Sequence, residues 1–206
     1  MLDLTQVISY SVALGIAAAV PGPGLAALVA RSVSGGTLSG FCLLLGLILG
    51  DLIYLSFAVF GLAMVAEHFS ALFEAVRWGA ALYLCYLAWQ FWFANHQAIE
   101  VGKSAKKREL VSAALSGLTI TLGNPKTIAF YLAILPLVID LQAVSLQTWA
   151  VVLVPLTVLV LLSVGALFIV AAVRVRHLLS SPRAQQHLFR GAATIMVAAA
   201  ASMLRR

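Results

Sequence analysis

Six long apolar stretches decide what this sequence can fold into. They cover about residues 4–30, 38–66, 76–94, 111–139, 146–173 and 188–204, the last barely long enough. Each is close to the ~17–25 residues a helix needs to cross a bilayer. A membrane-spanning barrel would instead show strands of ~10 residues alternating polar and apolar. Lipid cannot hydrogen-bond a backbone, so long unalternated runs in lipid must be helices. The chain as a whole cannot make a water-soluble surface. It is 63% hydrophobic and 10% charged, where soluble domains have ~45–50% apolar and ~25% charged residues. The expected fold is all-α and polytopic, one transmembrane domain over residues 1–206. Ala17-Ala18-Ala19 would suit a signal cleavage site, but Asp3 is the only early charge and the apolar stretch runs on past Pro23. A retained first helix is expected.

The formal charge of +6 does not indicate nucleic acid, because no stacking aromatics interleave with the basic clusters. It belongs to loops on one side of the membrane. Arg31 follows the first stretch, Lys103, Lys106, Lys107 and Arg108 the third, and Arg174, Arg176, Arg183 and Arg190 the fifth. Arg77, Arg205 and Arg206 fall opposite, so the first side reads as cytoplasmic. Asp3, Glu67, Glu74 and Asp140 also fall on the outer side. Both termini then face outward, unless the short sixth stretch is interfacial and leaves the C-terminus inside. Trp89, Phe91, Trp92 and Phe93 at one end of the third stretch, Trp78 at its other end and Trp149 suit headgroup levels. Cys42 and Cys85 sit in apolar segments and read as buried free thiols. His68, His96, His177 and His187 are scattered over loops, with no metal-ligand spacing. No metal or other cofactor is expected.

Two stretches are broken. Proline inside a helix removes a backbone hydrogen bond and clashes with the preceding turn, at ~3 kcal/mol or more. Pro21, Gly22, Pro23 and Gly24 interrupt the first stretch, and Gly123, Asn124 and Pro125 the fourth. Pro21 and Pro125 are 104 residues apart in a chain of 206. The chain therefore reads as two three-helix halves, about 1–100 and 108–206, each with its first helix broken. Three helices is an odd number, so the halves must be inverted. Inverted repeats with discontinuous helices mark secondary transporters; the plainer alternative is that these prolines only kink packed helices. Gly36 with Gly40, and Gly46 with Gly50, have the spacing that lets helices approach closely.

Two charges lie near the middle of apolar stretches, Asp51 in the second and Lys126 directly after Pro125. Each costs ~2.5–3.5 kcal/mol at mid-bilayer and so pairs or faces a cavity. The two are expected to approach each other or to flank one polar cavity, either as a structural ion pair or as a binding site. Asp51 is also a group able to carry a proton. Asn124 could bind a zwitterion or restore the broken backbone, and Thr119, Thr121 and Thr127 could do the same more weakly. Tyr54 lies three residues past Asp51, on nearly the same helix face, and Tyr131 five past Lys126. Either could line the cavity or simply pack.

Pro21-Gly22-Pro23, Arg31 with Gly35, Gly36 and Gly40, Gly50-Asp51, and Asn124-Pro125-Lys126, in that order and in a chain of this length, resemble the LysE/RhtB family of amino-acid exporters along the whole chain. The resemblance implies proton-driven antiport of a small metabolite such as lysine, arginine, threonine, homoserine or leucine. It also implies a bacterial inner-membrane location and a homodimer. It carries functional roles onto Pro21, Gly22, Pro23, Asp51, Asn124, Pro125 and Lys126. Lys126 would hold the substrate carboxylate, and Asp51 the α-ammonium or the proton. The direction, export, comes from the resemblance alone. An enzyme would need a nucleophile, base or metal constellation, and the usual motifs are absent from the sequence. A membrane scaffold would not need Asp51 and Lys126.

Overall fold

The computed structural model describes residues 2–61, 107–141 and 144–175, together with positions 78, 82, 85, 86, 89, 92, 93, 190, 191, 193, 194, 197, 198 and 201. The stretches 76–94 and 188–204 therefore fall largely outside the described residues. So do Glu67, Glu74, Arg77, Phe91, Lys103, Lys106, Arg176, Arg183, Arg205, Arg206 and the four histidines. Among the described residues the chain is helical, with no strand: α1 Leu4–Ala19, α2 Pro23–Val59, α3 Lys107–Leu122, α4 Pro125–Val138 and α5 Leu146–Val175. α2 and α5 are each long and apolar enough to cross a membrane, and α3 with α4, bent by 52° at the break between them, is a third if the pair counts as one span.

The first break lies where the prolines require it. α1 ends at Ala19, Val20 and Gly22 are extended, and Pro23 opens α2. At the second, Asn124 is extended and Pro125 opens α4. Proline suits the first helical position, where its missing N–H would have no partner anyway. Two further prolines leave a mark that the apolar pattern does not show. Pro136 and Pro155 each follow a π-helical turn, Phe130–Ile134 and Trp149–Leu153. Widening the preceding turn relieves the clash between the proline ring and the carbonyl four residues back.

α2 is two limbs joined at Gly36, whose φ of 75° and ψ of −176° belong almost only to glycine. Gly36 is therefore a turn residue rather than half of a helix-packing pair with Gly40. Arg31 ties this turn down, its Nε donating to Ser39 Oγ at 2.6 Å and its guanidinium to the Glu109 carbonyl at 3.2 Å. Gly36→Ala should cost about 1–3 kcal/mol, read as a lower unfolding temperature in detergent. Unchanged stability would show that the turn does not need this conformation.

Helix directions follow from which residues meet. Tyr10 bonds Thr157 and Gly15 faces Val160, so α1 and α5 run parallel. Gly40 lies by Ile169 and Gly165 by Leu44, so α5 runs antiparallel to the second limb of α2. Gly46 lies against Ala114 and Gly50 against Thr121, so that limb runs parallel to α3. The two broken helices thus start from opposite ends of the bundle. Gly46, Gly50 and Gly117 let the backbones of α2 and α3 nearly touch: a Cβ on Gly46 would fall on the Ala114 carbonyl, and one on Gly117 on that of Leu43. Gly46 and Gly50 therefore pack inside the molecule.

Candidate functional site

The two breaks meet at one cavity. It has a volume of about 80 Å³, several times what one water needs. Its polar wall holds Asp51, Thr121, Asn124, Lys126 and Thr127. Aliphatic groups, among them Leu25, Leu44, Leu47 and Leu161, make up most of the rest. Asp51 and Lys126 are half-buried, as befits charges facing a cavity, while Asn124 and Thr127 are buried. The structure thus brings Asp51, Lys126 and Asn124 together, and of the break residues Gly24 also lines the wall.

Lys126 does more than flank the cavity. Its Nζ donates to the carbonyls of Ala17 and Val20, 2.8 Å each. The sequence dictates why one of these is free: in an unbroken helix the Ala17 carbonyl would take the N–H of residue 21, and Pro21 has none. Gly22 clears the approach, since a Cβ there would lie 3.3 Å from Nζ. Asn124 Oδ1 accepts from the Lys126 N–H at 3.1 Å and caps α4, so its oxygen restores broken backbone. The second break has its own cap. The Tyr54 hydroxyl donates to the Leu122 carbonyl, and Tyr54 is not among the cavity-lining residues. Each break is therefore satisfied by a side chain from the helix that the other break opens. Gly123 closes back on Thr119 through its own N–H. The Thr119 hydroxyl bonds the Leu115 carbonyl.

An aromatic layer lies beyond one end of the cavity. Tyr10, Tyr54 and Thr157 each lie about one helical turn from the lining residues Leu14, Asp51 and Leu161, all in the same sense. There Tyr10 Oη and Thr157 Oγ1 are 2.6 Å apart. The Tyr54 and Tyr131 rings stack at 6.5 Å, and the Phe130 ring meets Tyr131 edge-on at 5.1 Å. The buried Tyr131 hydroxyl lies towards Asp51 and Tyr10, yet meets neither at hydrogen-bonding geometry. The cavity extends the other way, past Leu47 and Leu44 towards the Gly36 turn. The Tyr10–Thr157 pair and the aliphatic lining escaped sequence reading because no local pattern separates a cavity-lining leucine from a lipid-facing one.

A family described as LysE type translocator matches residues 15–206. An uncharacterized membrane protein of Synechocystis sp. is 29% identical over 151 residues, 72% of each chain. Leucine efflux proteins of Klebsiella pneumoniae and Salmonella typhimurium are each 31% identical, over 125 and 126 residues, which is 60% of this chain and 58% of theirs. No solved structure matches. With the family matched from α1 to the last residue, this chain belongs to the LysE-type translocators and is a transporter, not an enzyme.

Proposed function

We infer that this protein exports neutral aliphatic amino acids across the bacterial inner membrane, in exchange for protons. The observation that carries this reading is the composition of the cavity. A polar end with one acid and one amine suits a zwitterion, and walls of leucine, isoleucine and valine suit an aliphatic side chain. The leucine efflux proteins among its relatives support the same substrate class. The architecture in this reading is six spans in two inverted three-helix halves, supported by the opposed directions of the broken helices. A homodimer, as the family resemblance implies, completes it. The substrate enters from the Gly36 end of the cavity. It leaves when the aromatic layer of Tyr10, Tyr54, Phe130 and Tyr131 parts and the halves rock about the site. Asp51 takes either the substrate ammonium or the coupling proton.

The test is efflux from cells loaded with dipeptides, which raise internal amino acids. A strain expressing the protein should release leucine, isoleucine, valine or methionine faster than a null strain, and lysine, arginine and glutamate no faster. Equal release of the whole panel by both strains would end the amino-acid reading. Faster release of the charged amino acids alone would end the aliphatic one.

A further inference from the structure

Resting on that reading and refining it, we propose that the carbonyls of Ala17 and Val20 are the ammonium subsite of the transporter. Lys126 is its resident occupant when substrate is absent. An incoming primary ammonium displaces the Lys126 side chain, which then turns to the substrate carboxylate. Asp51 is left free for the proton.

The chemistry of exchange is like for like. Lys126 and the α-ammonium of an amino acid both offer three N–H donors and one positive charge. The two carbonyls stand at the C-terminal end of α1, where the helix dipole is negative and favours a cation. Both Ala17 and Lys126 line the cavity, so the Ala17 side of the occupied site is within reach of a solute there. The lysine stem is flexible and its head compact, which allows it to let go without moving a helix.

The two breaks are satisfied differently, and the difference points to exchange. At the second break a neutral, buried Tyr54 hydroxyl caps the Leu122 carbonyl, away from the cavity. That suffices for a structural cap. At the first break a movable cation does the same work on the cavity wall, although a cation within the bilayer is costly to place. A group there only to satisfy two neutral carbonyls would not need charge.

The test measures binding to purified protein in detergent micelles by titration calorimetry. The probes are the two halves of leucine, 3-methylbutylamine and 4-methylpentanoate. Lys126→Ala should bind the amine about tenfold more tightly than wild type and lose affinity for the carboxylate. Removing a positive charge would also favour an amine held by Asp51, so the comparison is repeated in Asp51→Asn. A gain that persists there places the amine on the carbonyls. A gain that vanishes there, or no gain at all, overturns the proposal. Lys126→Gln is the second variant, since its amide can still cap one carbonyl. Failure of both Lys126 variants to give monodisperse protein would make Lys126 a fixed structural cap, which also overturns it. The readout does not depend on transport. Failure of the exporter reading shows as a silent efflux panel, and failure of this inference as an amine affinity that Lys126 does not control.

Discussion

Asp51→Asn should reduce amino-acid efflux by at least ~100-fold, a change of about 2.8 kcal/mol, with the protein present in the membrane at the wild-type level. The substitution keeps the shape of the side chain and removes its charge. Asp51 lines the cavity on the wall of α2, with Lys126 and Tyr131 as its electrostatic neighbours. The asparagine amide can neither bind a proton reversibly nor balance the charge of Lys126. Stability should not suffer, because a carboxylate at this depth costs ~2.5–3.5 kcal/mol on insertion scales and an amide costs less. Efflux by Asp51→Asn within about twofold of wild type, at matched protein levels, would remove Asp51 from the mechanism. Loss of the protein from the membrane would instead assign it a structural role.

Gly46→Val should abolish the folded protein. A Cβ at Gly46 would lie on the carbonyl oxygen of Ala114, and the carbonyl carbon is 2.8 Å away. Both are backbone atoms of α3, so no side-chain rotation relieves the contact and the two helices must separate. The same seam carries Gly50 and Gly117. Prying it open loses the van der Waals contact that holds helices together in lipid. Overpacking costs of ~1–3 kcal/mol hold where side chains can yield; here the cost should exceed that range and approach the ~5–15 kcal/mol of a whole domain. Gly165→Ala is the contrast, because the nearest atoms its Cβ would meet belong to the Leu44 side chain, at 2.5 Å, and that leucine can turn. Thermal unfolding in detergent should show no cooperative transition for Gly46→Val and a modestly lowered one for Gly165→Ala. A Gly46→Val protein that unfolds near the wild-type temperature would contradict the close approach of α2 and α3.

Much of this was legible before any coordinates, because lipid and proline impose rules that act locally. An apolar run of bilayer length must be helical, and a proline must break or widen the helix around it. Those two rules placed both breaks, and the cost of burying charge singled out Asp51 and Lys126. The spacing of Gly46 and Gly50 marked a close helix contact. It did not distinguish them from Gly36 and Gly40, where the same spacing holds a turn.

What remained for the tertiary structure was pairing across the chain. Lys126 and Ala17 are more than a hundred residues apart, as are Tyr10 and Thr157, and no periodicity links them. Sequence alone left open whether Asn124 bound substrate or mended backbone, and the fold turned its oxygen onto the Lys126 N–H. Tyr54 shares a helix face with Asp51, yet its hydroxyl went to the Leu122 carbonyl. A broken helix in lipid must find partners for its free carbonyls. The sequence therefore determined that such partners must exist, while the packing of helices distant in the chain decided which side chains they would be.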